Sequence, residues 1–212
     1  MTKFATLTAA AILIASSSAA FAQTATSAFD VRGYISGSTT ASSPSIVAPA
    51  TTYNYYVAPT GSDTASGSKA APFKTLARAI KALRPSTTVW VAPGTYSGGF
   101  QNTVSGNSTA RIYFVSTTKW GARIVPPASS TRDVAFDNRG SYVDIVGFQV
   151  DGTTSQAGTK WRYGIYNGGS YDSIRENWVH HIAKTIPCTS GGGSAIGADS
   201  YYKGVKADII SN

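Results

Sequence analysis

Tyr142-Val143-Asp144-Ile145-Val146-Gly147-Phe148-Gln149-Val150 can be laid over Tyr171-Asp172-Ser173-Ile174-Arg175-Glu176-Asn177-Trp178-Val179 at an offset of 29 residues, with Tyr, Ile and Val in the same places. A third copy, Lys206-Ala207-Asp208-Ile209-Ile210-Ser211-Asn212, puts Ile209 and Asn212 35 residues after Ile174 and Asn177. The surplus falls in Thr189-Ser190-Gly191-Gly192-Gly193, which has the composition of a loop insertion. A shorter segment precedes each copy: Val134-Ala135-Phe136, Gly164-Ile165-Tyr166 and Ser194-Ala195-Ile196. A period of this size, with several short strands per unit and insertions confined to turns, implies stacked parallel coils. In such a stack Ile145, Ile174 and Ile209 form an interior aliphatic column, and Asn177 above Asn212 forms an amide ladder that satisfies turn backbone.

Outward from these repeats, short β-rich segments separated by Gly, Ser and Asn continue in both directions. They are Thr88 to Val91, Ile112 to Val115, Arg123 to Val125, Val134 to Phe136, Tyr142 to Val150, Gly164 to Tyr166, Asp172 to Val179, Ala195 to Gly197 and Gly204 to Ile210. Upstream, Pro72 to about Leu83 carries Phe73, Leu76, Ala77, Ile80 and Leu83 at helical spacing, with Lys74, Arg78 and Lys81 on the other face. Pro72 suits the first turn and Pro85 ends the element. An amphipathic helix at this point serves as a lid, because an uncapped coil exposes backbone edges and apolar core.

The N-terminal part divides into two further segments. Residues 1–22 read as a signal peptide, with Lys3, the apolar run Ala9 to Ala15 and the cleavage pattern Ala20-Phe21-Ala22. Residues 23–52 are a Ser/Thr/Ala-rich linker or N-terminal arm. The β domain then occupies 53–212. No stretch reaches the roughly 20 apolar residues of a membrane span, so the expected location is secreted or periplasmic. One cysteine, Cys188, excludes an intrachain disulfide framework and reads as a free thiol.

Only 13% of residues are charged, and 18 Lys and Arg stand against 10 Asp and Glu, a net charge of +8. In an exported protein this balance points to an acidic polysaccharide or an anionic surface. The basic residues are scattered and form no nucleic-acid motif, which argues against nucleic acid as a partner.

Three stretches add a resemblance. Tyr55-Tyr56-Val57-Ala58-Pro59-Thr60-Gly61-Ser62-Asp63, Ala71-Pro72-Phe73-Lys74-Thr75-Leu76 and Val89-Trp90-Val91-Ala92-Pro93-Gly94-Thr95-Tyr96 resemble the cap and first coil of pectate-lyase-like right-handed β-helix proteins. The resemblance runs from about Tyr53 to Asn212. It implies an all-β, right-handed parallel β-helix with an N-terminal amphipathic capping helix, here the cap and roughly the first four coils. It also implies a polysaccharide lyase-like function on uronic-acid glycans by β-elimination, with calcium as the cofactor commonly used in the family. A non-catalytic surface or glycan-binding β-helix is the alternative, since the fold serves both.

Elimination needs a base, and a cation near the substrate carboxylate. Candidates for the base are His180 and His181, the only histidines, and Lys203 and Lys206. Candidates for sugar contact are Trp161, Tyr201 and Tyr202 as stacking faces and Arg175 as a carboxylate partner. The pair His180-His181 can equally be an ordinary strand end. Asp144, Asp151, Asp172, Asp199 and Asp208 are spread one or two per coil and read as solvated turn acids, so no metal ligands and no cofactor are assigned. The last copy stops at Asn212, where its counterpart continues into Trp178-Val179-His180-His181. The expectation is a truncated product, monomeric only if complete and poorly soluble alone.

Overall fold

Three successive coils of this chain turn a corner on a single residue with left-handed backbone. In the computed structural model, which describes residues 50–128, 132–153, 161–183, 193–199 and 205–212, the aligned corner residues are Gly147 (φ 76°), Glu176 (φ 59°) and Ser211 (φ 52°). One such residue breaks a strand and redirects the chain without a hairpin, so the next strand enters a different sheet. Glycine takes this conformation freely at Gly147, while Glu176 holds it against the steric cost that a Cβ brings. The long segments expected over Tyr142 to Val150 and Asp172 to Val179 are therefore two strands each.

The described residues belong to one unit, Ala41–Asn212. Three parallel sheets wrap it. The longest runs β1 (Tyr53–Val57), β2 (Thr87–Val91), β5 (Ile112–Ser116), β8 (Val143–Val146), β11 (Asp172–Arg175) and β14 (Ala207–Ile210). A second runs β3 (Gly94–Ser97), β6 (Ala122–Val125), β9 (Gln149–Asp151) and β12 (Trp178–His180). The third runs β4 (Phe100–Asn102), β7 (Val134–Asn138), β10 (Tyr163–Asn167) and β13 (Ser194–Ala198). In chain order one strand from each sheet closes a coil, and every strand pairs in parallel with its counterpart in the next coil. This is the expected parallel β-helix. Strands β3 and β4 are additions to the sequence reading; Gly94, Gly98 and Gly99 around them hide short strands among turn residues.

The interior is a set of columns. Ile174 pairs with Ile145 on one side and Ile209 on the other, as the repeat alignment predicts; Ile145 and Ile174 are buried, whereas Ile209, expected in the interior column, is 49% exposed. Phe136 meets Phe100, Phe114 and Phe148 at centroid distances of 4.8, 5.0 and 6.3 Å, mostly edge to face. Two amide ladders satisfy the turns. Asn177 Nδ2 donates to Asn212 Oδ1 (3.0 Å) and to the Ile145 carbonyl (3.0 Å), and Asn177 Oδ1 accepts from the Phe148 N–H (3.0 Å). A second ladder, absent from the sequence reading, links Asn102 to Asn138 (2.8 Å) and Asn138 to Asn167 (2.7 Å). Its signal is the 29-residue spacing of Asn138 and Asn167, each followed within two residues by glycine.

The capping helix α1 (Leu76–Ile80) is shorter than the Pro72 to Leu83 expected from periodicity. Thr75 caps it by accepting from the Arg78 N–H, and Asp63 accepts from the N–H groups of Lys74 and Thr75. Phe73 lies ahead of it as a bridge to Val57. Pro72 and Phe73 are thus held in extended backbone, and the helix cannot begin before Thr75. Phe73, Leu76 and Ala79 are buried and cover the first coil, each large side chain contributing about 1.5–3 kcal/mol. No helix among the described residues is long and apolar enough to cross a membrane.

Candidate active site on the longest sheet

Side chains alternate across a strand. In the longest sheet Ile112, Phe114, Val143, Ile145 and Ile174 point inward, so Tyr113, Asp144, Ser173 and Arg175 point out. The turns that lead into β5, β8, β11 and β14 add Arg111, Tyr142, Tyr171 and Lys206. The result is an open groove of about 420 Å³ lined by Arg111, Tyr113, Asp144, Tyr171, Asp172, Arg175, Lys206 and Asp208 among others. Along its edge Tyr142 and Tyr171 stack at 4.9 Å and 15°. Arg111 stands 5.8 Å over Tyr142, and Lys206 stands 5.6 Å over Tyr171.

The charges in the groove are not equivalent. Arg111 is bound to Asp144 and also donates to the Tyr171 carbonyl (2.8 Å). Arg175 and Lys206 have no hydrogen-bonded or ion-paired side-chain partner among the described residues, leaving two cations for an anionic ligand. Tyr171 is 50% exposed and offers its ring beside them.

Asp172 occupies an interior slot, one residue before the Ser173–Asp144 pair, where the coil above has Val143. Its Oδ1 accepts from the Val143 N–H (2.7 Å), while the buried Oδ2 has no partner. Burial pushes its carboxyl up to about 6, against the opposing pull of the Val143 N–H, the Asn167 side chain and Arg111. The reading of the aspartates as solvated turn acids is corrected here: Asp144, Asp151 and Asp172 are buried. The offset of 29 held the clue, since it sets Asp172 under Val143.

The candidate residues do not form one constellation. Lys206 and Arg175 share the groove. His180 and His181 follow the corner at Glu176 and lie at the end of β12 in another sheet. Trp161 is 3% exposed and belongs to the core, where a Cβ added at Gly98 would come within 2.7 Å of its ring; it is not a platform for sugar. The glycines around it give the sequence a loop-like look, but the ring fills the space left by Gly98 of a distant coil. Lys203, Tyr201, Tyr202 and Cys188 lie outside the described residues, as do residues 1–22, read above as a signal peptide, and nearly all of 23–52, read as a linker or arm.

Calcium requires six to eight oxygens converging at 2.3–2.6 Å. Asp144 and Asp208 flank Ser173 in the sheet, about 9–10 Å apart at two strand spacings, and Asp144 is held by Arg111. The acids of the groove do not fit a calcium ion among the described residues.

Residues 55–206 match the family model described as Pel9A-like, right handed beta helix region. The chain belongs to this family. A solved structure agrees with the assignment. The crystal structure of pectate lyase Pel9A is similar at 26% identity and a TM-score of 0.50, over 63% of this chain and 34% of that one. A rhamnogalacturonan lyase is similar at 20% identity and a TM-score of 0.47, over 59% of this chain and 35% of that one. The chain therefore spans about a third of the length of these lyases. No curated protein matches the sequence.

Proposed function

We propose that this Pel9A-like chain is a polysaccharide lyase-like protein that takes an acidic, uronic-acid glycan into the groove of β8, β11 and β14. The observation that carries the reading is the pair of cations, Arg175 and Lys206, which among the described residues have no hydrogen-bonded or ion-paired side-chain partner and stand beside the half-exposed Tyr171. Arg175 matches a carboxylate in planar, two-point fashion, and Tyr171 supplies a ring for stacking. Lys206 is the nominated base. In β-elimination the base takes the proton from the carbon next to the carboxylate, and the electron pair forms a double bond as the glycosidic oxygen departs and takes up a proton from solvent. The products are an unsaturated uronate end and a new hydroxyl end. Arg175, by pairing with the carboxylate, stabilises the negative charge that develops there. Export through the N-terminal segment would bring the chain to such substrates.

The test is incubation with pectate, alginate and glycosaminoglycans, with and without calcium, followed by the ultraviolet absorbance of unsaturated ends. Elimination on at least one substrate, lost in Lys206→Ala, supports the reading. Binding without product in any condition would assign the groove to a non-catalytic glycan module instead.

A further inference from the structure

The two histidines lie outside this groove, and their arrangement is unusual for neighbours in a strand. Successive side chains of a regular strand point to opposite faces and cannot share a ligand. Here His181 adopts left-handed backbone (φ 56°), which ends β12 and folds its ring back beside that of His180. The two Nδ1 atoms come within 2.6 Å of each other. Both also face one carboxylate oxygen from the preceding coil: Asp151 Oδ1 is 3.5 Å from His180 Nδ1 and 3.7 Å from His181 Nδ1. A strained backbone that gathers like groups around one point marks a candidate functional site. We propose that Asp151, His180 and His181 form a binding site for a late first-row divalent cation, with Zn²⁺ as its probe.

The donor set decides the class of ion. Two imidazoles and one carboxylate suit zinc and its neighbours, whereas calcium and magnesium require oxygen shells. Around a tetrahedral ion with bonds of about 2.0–2.1 Å, donor atoms stand about 3.3 Å apart. The two Asp151 distances already lie close to this. The two ring nitrogens must separate from 2.6 Å to about 3.3 Å, a movement that the His181 side chain, 52% exposed, can supply. Its exposure also leaves the fourth position to water.

The surroundings hold the donors in place. Gly152 N–H donates to the His180 carbonyl (3.1 Å), which pins the two coils together at the site. Arg123 binds Asp151 Oδ2, and Thr153 N–H donates to Oδ1 (2.8 Å), so the carboxylate is oriented from both sides. Gln149 Nε2 lies 3.0 Å from His180 Nε2; with the amide turned so that its oxygen faces the ring, Gln149 accepts the Nε2–H and leaves Nδ1 free to bind metal. The guanidinium of Arg123 opposes an added cation, which sets the expected affinity at a moderate, micromolar level.

The chain has two histidines in all, so binding by imidazole is attributable. The experiment measures Zn²⁺ binding to the 212-residue chain, prepared without a histidine tag, by competition with a chromophoric chelator. One equivalent should bind with a Kd of about 1–10 μM, and His181→Ala should weaken binding more than about tenfold. Zn²⁺ should raise the melting temperature of the wild type and leave that of His181→Ala unmoved, since a ligand stabilises only the state that binds it. Cys188→Ser should bind as the wild type does. No uptake by the folded wild type at roughly 100 μM Zn²⁺, or equal affinity in His181→Ala, would overturn the proposal. Neither readout depends on glycan cleavage, so the outcome is separate from that of the lyase reading.

Discussion

Asp172→Asn isolates the energetic cost of a buried carboxylate that the coil places under Val143. In the unfolded chain an aspartate titrates near 3.9; in the fold Asp172 is pushed up to about 6, because burial disfavours its charged form. Between these values the native state holds more protons than the unfolded state, so stability falls as pH rises. Below about pH 4 both states are protonated and the group costs nothing. Above about pH 6 both are ionised, and the shift of about two units corresponds to about 3 kcal/mol of lost stability. Asparagine keeps an acceptor for the Val143 N–H and carries no charge. Its amide nitrogen takes the place of the unpartnered Oδ2. Urea unfolding of both proteins from pH 4 to pH 8 provides the measurement. The two should be close in stability at pH 4, and the variant should be more stable by up to about 3 kcal/mol at pH 7 and above. Parallel stability curves across this range would refute the argument, since they would mean that Asp172 titrates alike in both states.

Three other outcomes follow from the fold. Ile174→Asp buries a charge in the aliphatic column between Ile145 and Ile209 and should unfold the stack, whereas Arg175→Asp, one position along and facing out, should cost less than about 1 kcal/mol; thermal melts of the two variants compare them directly. Asn138→Ala removes the middle rung of the Asn102–Asn138–Asn167 ladder and leaves buried amides unpaired, for an expected loss of about 2–3 kcal/mol in chemical denaturation. Arg175→Ala should weaken pectate binding in a titration by about 2 kcal/mol or less while the melting temperature is kept, because the guanidinium contacts no side chain that the fold needs.

The repeat of Tyr142–Val150 in Tyr171–Val179 was enough to determine parallel stacking, the register of Ile145, Ile174 and Ile209, and the Asn177–Asn212 ladder. These are legible because a coil stack ties each position to the one a full period away, so similarity in sequence is proximity in space. The same logic would have found the Asn138–Asn167 rung and the interior slot of Asp172. The corners were not legible: left-handed backbone at Glu176, Ser211 and His181 is chosen by coil closure against the residues' own preference. They decide which sheet each side chain joins. That is why Lys206 and Arg175 meet Tyr171 in a groove, while His180 and His181 are carried to another face and meet Asp151. Trp161 shows the remaining limit. Whether an aromatic ring in a glycine-rich stretch faces solvent or core depends on the space left by Gly98 from a distant coil, and only the tertiary structure sets that.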